Sequence, residues 1–387
     1  MTHSLDNIKL MWREEPRNFQ TPCYLYSVSG VEKNFLTLKN LLGTNLVYSL
    51  KANHCVDLLV RCGHLFTDGI EVASVGELNL IAGGDGVKFI NNPSMDKQTM
   101  RAAIGSKATI IIDNEQQLDM LGEFIGKRPL NPVLFRLNSC VLKTFMPEHE
   151  SVRSDHFGMD WETAKRCLKW ANDNNIEVQG FHLFKGSNTF VKTAMSSVTA
   201  VLKIIYEFEK SLGYPIKMIN LGGGFDNQPE LSDFDFDAYR NLLQEIPEHI
   251  EISHEAGRAI MASAGYFLTR VRSVKQIEDQ SYIIADGGMK QNFLLAKTEN
   301  SFRRYEEPMI LTSNDYESDN DKETGTGKAY IVGTSCNRDD VIGAINNISV
   351  MPAVGDGLLF SHCGAYNESY TLGDFLSLPK AQAYIVE

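Results

Sequence analysis

The chain has no run of about 18 or more consecutive apolar residues, so nothing in it predicts a membrane-spanning helix. Its seven cysteines, at positions 23, 55, 62, 140, 167, 336 and 363, include no Cys-x-x-Cys pair and no spacing suited to a metal. An odd count without a disulfide framework suits a reducing cytoplasm. Basic residues are outnumbered, and the net charge of −12 predicts neither nucleic acid nor an anionic membrane as partner. Met1 to Pro16 is polar and charged with no apolar stretch, which predicts no signal peptide. Internal repeats are also missing, apart from one alternation.

That alternation organises the chain. At 387 residues, 43% of them hydrophobic, two domains are expected. Short apolar runs that read as buried strands occur at Leu46–Leu50, Ile70–Val72, Val87–Ile90, Thr109–Ile112, Val133–Leu137, Val178–His182, Met218–Leu221 and Ile250–Ser253. Helix-length segments separate them: Val56–Cys62, Ser74–Ala82, Met95–Ile104, Asn114–Phe124, Asp160–Asn174, Ser197–Leu212 and Phe236–Ile246. Ser74 with Glu77 fits a capping box, and Asn114 fits an N-cap. Eight strands alternating with helices predict a (β/α)8 TIM barrel, with its site at the C-terminal strand ends. Beyond Ala264 the helical period fades. Tyr266–Val274, Ser281–Ala285, Ala329–Val332, Gly357–Phe360 and Gln382–Val386 read as strands of a C-terminal all-β domain. The barrel is expected over residues 28–264, and the β-domain over 1–27 and 265–387. The acidic stretch Asn314–Lys328 reads as a mobile surface loop.

The strand ends carry the chemistry. Lys51 closes the run Leu46-Val47-Tyr48-Ser49-Leu50. An ammonium there is expensive to desolvate, so its pKa is expected to fall toward the range of a neutral amine that can condense with a carbonyl. A lysine snorkelling to water is the plainer alternative. Asn220-Leu221-Gly222-Gly223-Gly224-Phe225 follows the seventh strand, and bare backbone there lets N–H groups approach an anion; a flexible turn is the other reading. The eighth strand runs into His254-Glu255-Ala256-Gly257-Arg258, either a local Glu–Arg pair or an inward carboxylate beside a phosphate. The sixth leads into His182-Leu183-Phe184-Lys185-Gly186-Ser187-Asn188, another turn able to donate to an anion. An amine, two glycine turns and a carboxylate at four strand ends point to a phosphorylated aldehyde cofactor.

These residues resemble the fold-type III pyridoxal-phosphate decarboxylases, which include diaminopimelate and ornithine decarboxylases. The resemblance runs from Thr21-Pro22 to the C-terminus. Tyr48-Ser49-Leu50-Lys51-Ala52-Asn53 is similar to the family's cofactor-lysine motif, and Asn220–Phe225 to its glycine motif. Glu255-Ala256-Gly257-Arg258 is similar to its Glu-Pro-Gly-Arg motif, with Ala256 in place of proline. Gly333-Thr334-Ser335-Cys336-Asn337-Arg338-Asp339-Asp340 resembles the second-domain cysteine motif, and Gly364-Ala365-Tyr366 the phosphate-tyrosine motif. The resemblance implies pyridoxal 5'-phosphate attached to Lys51, with Glu255 on the pyridine nitrogen. It places Ser187, Gly223, Gly224, Gly257, Arg258 and Tyr366 around the phosphate, and Glu71, Arg136 and Phe184 close to the cofactor. Cys336, from the partner subunit, is implied to return a proton to the substrate carbon, which makes the protein a homodimer with shared active sites.

Departures from the family pattern bear on the substrate. Phe184 stands where the family stacks a histidine on the ring; stacking survives but the imidazole's hydrogen bonding does not. Asn337 stands where the basic amino-acid decarboxylases hold a distal ammonium with an acid. Loss of that charge is expected to weaken a distal amine by ~2–4 kcal/mol, unless the amide still bonds it. Asp286-Gly287-Gly288-Met289-Lys290, Asn300-Ser301-Phe302-Arg303-Arg304 and Phe375-Leu376-Ser377-Leu378-Pro379 resemble the branch serving siderophore and acyl-carrier pathways. Lys290, Arg303, Arg304 and Arg338 then offer charge to a carboxylate-rich small molecule, or are solvated surface. Asn337, Arg338 and Asp340, with Arg303 and Arg304, are the expected substrate contacts. The expected reaction is decarboxylation of an α-amino acid with a bulky or acidic distal group. The alternatives are a decarboxylase of free diaminopimelate, ornithine, lysine or carboxynorspermidine, an amino-acid racemase, or a non-catalytic regulator. A racemase sets an arginine against the ring nitrogen, and a regulator loses Lys51 or Cys336; neither change is present.

Overall fold

The structure, a computed structural model, describes residues 2–84, 86–127, 131–147, 154–228, 230, 232–298, 302–312, 327–348 and 350–387. The predicted loop Asn314–Lys328 therefore lies outside the described residues except for its last two. Contacts divide the chain into two units, one of Met1–Asn34, Cys55–Cys62 and Ile260–Glu387, the other of Phe35–His54 and Gly63–Ala259.

The chain opens with α1 (Thr2–Glu14), β1 (Cys23–Ser27) and α2 (Val28–Leu42). Then come β2 (Asn45–Ser49), α3 (Val56–Cys62), β3 (Ile70–Val72), α4 (Val75–Leu80), β4 (Lys88–Asn91) and α5 (Lys97–Gly105). β5 (Thr109–Ile112), α6 (Glu115–Gly122), β6 (Val133–Leu137), α7 (Val141–Phe145) and α8 (Trp161–Asp173) follow. The alternation ends with β7 (Val178–Leu183), α9 (Phe190–Leu212), β8 (Met218–Asn220), α10 (Phe236–Leu243), β9 (Glu251–Ala256) and α11 (Arg258–Met261).

Strands β2 to β9 pair in parallel and close into a barrel, the predicted (β/α)8 architecture. Their apolar runs are continuous because the strands are covered on both faces. Val47, Phe89, Ile111 and Leu134, from alternate positions of four strands, pack together in one buried cluster. Caps start the helices where the sequence places them. The Ser74 hydroxyl accepts from the Glu77 amide at 3.1 Å, and the Glu77 carboxylate accepts from the Ala73 amide. Asn114 accepts from the Gln117 amide at 3.0 Å. α9 begins at Phe190, well before the predicted Ser197. Its first two turns hold Val191 and Thr193, poor helix formers by propensity, and burial of Phe190, Thr193 and Ala194 overrides that weakness.

The other unit carries β10 (Gly265–Ile277), β11 (Gln280–Ala285), β12 (Met309–Leu311), β13 (Ala329–Val332), β14 (Val341–Ile345), β15 (Gly357–Phe360) and β16 (Gln382–Val386). They form a sheet in the order β12-β15-β10-β11-β13-β14, with β1 joining β10 and β16. β1 runs antiparallel to β10 and parallel to β16. The domain is mostly β, and α1 belongs to it. Ile8 and Trp12 of α1 are buried one turn apart against Cys23, Leu25, Leu268 and Leu359, and the Trp12 indole donates to the Leu311 carbonyl at 2.9 Å. Asp6, Lys9, Arg13 and Glu14 hide this stripe in a composition-based reading. No helix among the described residues is long and apolar enough to cross a membrane.

Candidate active site

The C-terminal ends of the barrel strands hold a band of buried polar side chains. Glu71 is on β3, Asn91 ends β4, Asp113 follows β5, Arg136 is on β6, His182 on β7, Asn220 ends β8 and Glu255 is on β9. The parallel register sets Arg136 beside His182 and His182 beside Asn220. Lys51 lies in a short 3-10 turn, Leu50–Ala52, that leaves β2.

Lys51 departs from the expectation of a desolvated amine. Its side chain is 45% exposed, and its ammonium pairs with Glu71 at 2.9 and 3.2 Å. The turn carries it out of the covered strand. Glu71 takes the burial instead. Only 1% of its side chain is exposed, and desolvation raises its pKa against the opposing pull of Lys51. Burial pushes on Glu255 as well, but the His182 imidazole, Lys51 and Arg136 reverse it and hold the carboxyl at about 2. Two carboxyls in one barrel mouth are thus driven apart, one toward protonation and one firmly ionised.

Glu255 is anchored by a single oxygen. Oε1 accepts from Asn220 Nδ2 at 2.9 Å and lies 3.4 Å from His182 Nε2. No hydrogen bond or ion pair to Oε2 is found among the described residues. Asn220 is itself fixed, because its Oδ1 accepts from the Gly222 amide at 2.9 Å. Arg136 donates to Asn91 at 3.2 Å and Asp113 at 3.3 Å, with the Phe157 ring 4.4 Å from its guanidinium carbon. Those partners hold it in the wall of the barrel.

The glycine turn is needed for its bareness. A Cβ on Gly223 would run into the Glu255 carbonyl oxygen, and one on Gly224, at φ +94°, would meet the Gly186 carbonyl. The Glu255 amide donates to the Gly222 carbonyl at 2.9 Å, tying the turn to β9. Phe184 is half-buried with its ring edge against Gly222. Gly257 abuts Ala52 and Ser49, which joins the Glu255-Ala256-Gly257-Arg258 motif to the Lys51 turn. Ser187 is exposed in the turn after β7, and Arg258 is half-buried at the start of α11. An ionised carboxylate with a vacant acceptor, a nearby amine and a glycine cradle fit a ring nitrogen, an aldehyde and a phosphate, so pyridoxal phosphate suits this barrel.

The remaining expected residues lie in the sheet unit. Cys336, Asn337 and Arg338 are exposed, Arg304 is exposed, and Tyr366 is half-buried with φ +68°. Asp340 is buried among backbone donors. Its carboxylate accepts from the Met289 amide at 2.7 Å and the Ser335 amide at 2.9 Å, pinning two loops together. Arg303 is paired with Asp339 at 2.8 Å, so its charge is already matched. Asn300 and Ser301, part of a motif singled out in the sequence, lie outside the described residues. His182, Asn220, Asn91 and Asp113 were not singled out as site residues. A polar residue at the end of an otherwise apolar strand is the signal that marks each of them.

His254, the outward neighbour of Glu255, bonds Thr44 at 2.8 Å and Tyr239 at 2.9 Å and is fully buried. Burial first, then Lys185, lowers its pKa from 6.5 to about 3. The unfolded chain therefore binds more protons between those values, and stability falls on acidification by roughly 1.4 kcal/mol per pH unit from this residue alone. Urea unfolding at pH 7 and pH 5 is expected to show about 2 kcal/mol less acid loss in His254→Gln than in the parent protein. Equal losses in both would rule this out.

Comparison with known proteins follows the same lines. The family described as pyridoxal-dependent decarboxylase, pyridoxal binding domain, matches residues 28–264. A diaminopimelate decarboxylase of Vibrio cholerae is 25% identical over 377 residues, covering 92% of this chain and 87% of that protein. The 2-[(L-alanin-3-ylcarbamoyl)methyl]-2-hydroxybutanedioate decarboxylase of Staphylococcus aureus is 25% identical, covering 92% of both chains. A lysine/ornithine decarboxylase of Vibrio vulnificus, solved with cadaverine, superposes with a TM-score of 0.79 at 20% identity, over 100% of this chain and 99% of that one.

Proposed function

This chain belongs to the pyridoxal-dependent decarboxylase family, and from that premise we propose that it decarboxylates an α-amino acid whose far end is a bulky or acidic group, as in citryl-diaminopropionate-type siderophore precursors. That it is a pyridoxal-phosphate-dependent amino-acid decarboxylase follows from the family and from its relatives; the far end of the substrate is our reading.

One observation carries it. The Oδ1 of Asn337 accepts from the Asp339 amide at 2.9 Å, so the group left to face a ligand is the Nδ2 donor. A distal ammonium is donor-only and gains nothing from that N–H, whereas a carbonyl or carboxylate accepts from it. A pocket of about 400 Å³ opens beside it, lined by Met289, Phe293, Thr298, Asn337, Asp339, Leu372 and Phe375. Its one acidic wall residue, Asp339, is matched by Arg303. Lys290 is buried, and neither Lys290, Arg304 nor Arg338 shows a hydrogen bond or ion pair among the described residues. The substrate in the name of the Staphylococcus relative, an alanine joined through an amide to hydroxybutanedioate, is rich in the acceptors such a surface would take.

Pyridoxal phosphate, when bound, supplies the ring that accepts the electron pair left by departing CO2. Lys51 would hold the cofactor through its amine. Glu255 would hold a proton on the ring nitrogen through Oε2. Gly223, Gly224 and Gly257 would present bare backbone to the phosphate, with Ser187 and Arg258 beside them. Cys336 would give a proton to the α-carbon from the partner subunit of a homodimer. A reducing cytoplasm suits seven cysteines that form no disulfide.

Measuring CO2 release from free diaminopimelate, lysine and ornithine and from amide conjugates of diaminopropionate with citrate tests the reading. Turnover of the free basic amino acids with none of the conjugates would overturn it. Asn337→Asp is expected to raise kcat/KM for lysine or diaminopimelate by ~10–100-fold and to lower it for the conjugate. An unchanged ratio would remove Asn337 from substrate recognition.

A further inference from the structure

His182 is 1% exposed, and neither ring nitrogen makes a hydrogen bond among the described residues. A buried imidazole in that state has given up the hydrogen bonds it made in water. Its location gives it a task. Nε2 lies 3.4 Å from Oε1 of Glu255, within ion-pair reach but long for a hydrogen bond. Asn220 already holds the same oxygen at 2.9 Å, with its own amide fixed by Gly222.

We propose that His182 is a positioning residue for Glu255, closing with Asn220 on Oε1 so that Oε2 alone is turned to the cofactor's ring nitrogen. Closing that 3.4 Å separation to the usual N–H···O range of about 2.7–3.2 Å makes it a hydrogen bond. A carboxylate held by one neutral amide can still swing about its terminal torsion, where the wells are broad. A second N–H on the same oxygen fixes the swing. The other charged groups acting on Glu255 are Lys51, Arg136 and Glu71, and none of them forms a hydrogen bond or ion pair with Oε1 among the described residues. They set how much charge Glu255 carries. His182 sets where that charge points. The inference rests on Glu255 serving the ring nitrogen, and its test separates the two.

The protein is freed of cofactor and titrated with pyridoxal 5'-phosphate labelled with ¹⁵N in the ring. The dissociation constant and the ring-nitrogen chemical shift are read for the parent, H182L, H182Q, E255Q and H182L/E255Q. H182L is expected to bind about ten-fold more weakly and to lower the pH at which the ring nitrogen loses its proton. H182Q, whose amide reaches the Nε2 position, is expected to restore both. The double variant is expected to match E255Q, because the imidazole then has nothing to orient. A parental chemical shift in H182L, or losses that add in the double variant, would overturn the role of His182 alone. A parental chemical shift in E255Q would overturn the assignment of Glu255 and this inference with it. If H182L does not fold, H182Q is compared with the shorter H182N, and equal behaviour of that pair overturns the proposal.

Discussion

Lys51→Ala is expected to yield a folded protein that gains no visible absorbance band when supplied with pyridoxal phosphate and whose CO2 release falls by roughly 10³-fold or more. Lys51 is the amine in the 3-10 turn that leaves β2, and its side chain reaches Glu71. The turn itself is held by the Asn53 amide donating to the Leu50 carbonyl at 3.0 Å, which alanine leaves intact. The change also strips Glu71 of its cation. Glu71 is already raised by burial, and without Lys51 it moves higher still. A carboxyl with a raised folded pKa binds more protons folded than unfolded, so stability falls as pH rises past the unfolded value of about 4.5. Urea unfolding of Lys51→Ala is therefore expected to show a larger loss between pH 5 and pH 8 than the parent. A retained absorbance band would end the assignment of Lys51.

Glu255→Gln is expected to lower CO2 release by ~10²–10³-fold, or about 3–4 kcal/mol, with a much smaller change in KM. Glutamine keeps an Oε1 for Asn220, so the packing of the barrel mouth survives. What it lacks is the negative charge that holds the ring nitrogen cationic. With the Glu255 carboxyl held at about 2, that charge is present at every pH the enzyme meets. Rate profiles between pH 5 and 9 should carry no ionisation from this residue. A variant within a few-fold of the parent would show that ring protonation does not depend on Glu255.

Much of this was legible in the residues alone. Eight short apolar runs gave the barrel because parallel strands buried on both faces leave no polar alternation to confuse them. The lysine turn, the three glycines and the Glu255 motif were legible for a related reason: neither packing nor solubility calls for such residues at strand ends. α1 was not, since Ile8 and Trp12 are two apolar positions in a charged helix and their partners lie far along the chain. β12 and β14 escaped because a three- and a five-residue strand carry little pattern. The desolvation argument for Lys51 failed at the turn, where three residues move a side chain from a covered strand into solvent. Asp340 and Arg303 are acid and base in a plausible motif, yet what each bonds depends on loop contacts that no spacing reveals. The same holds for Asn337, whose identity was read but whose outward atom was not.

Lys51 leaves β2 in a short turn and keeps 45% of its side chain exposed, whereas Lys185 and Lys290 are buried. An amine-reactive reagent would accordingly label Lys51 well ahead of those two, and the order of labelling reads the geometry of the turn without any assay of turnover.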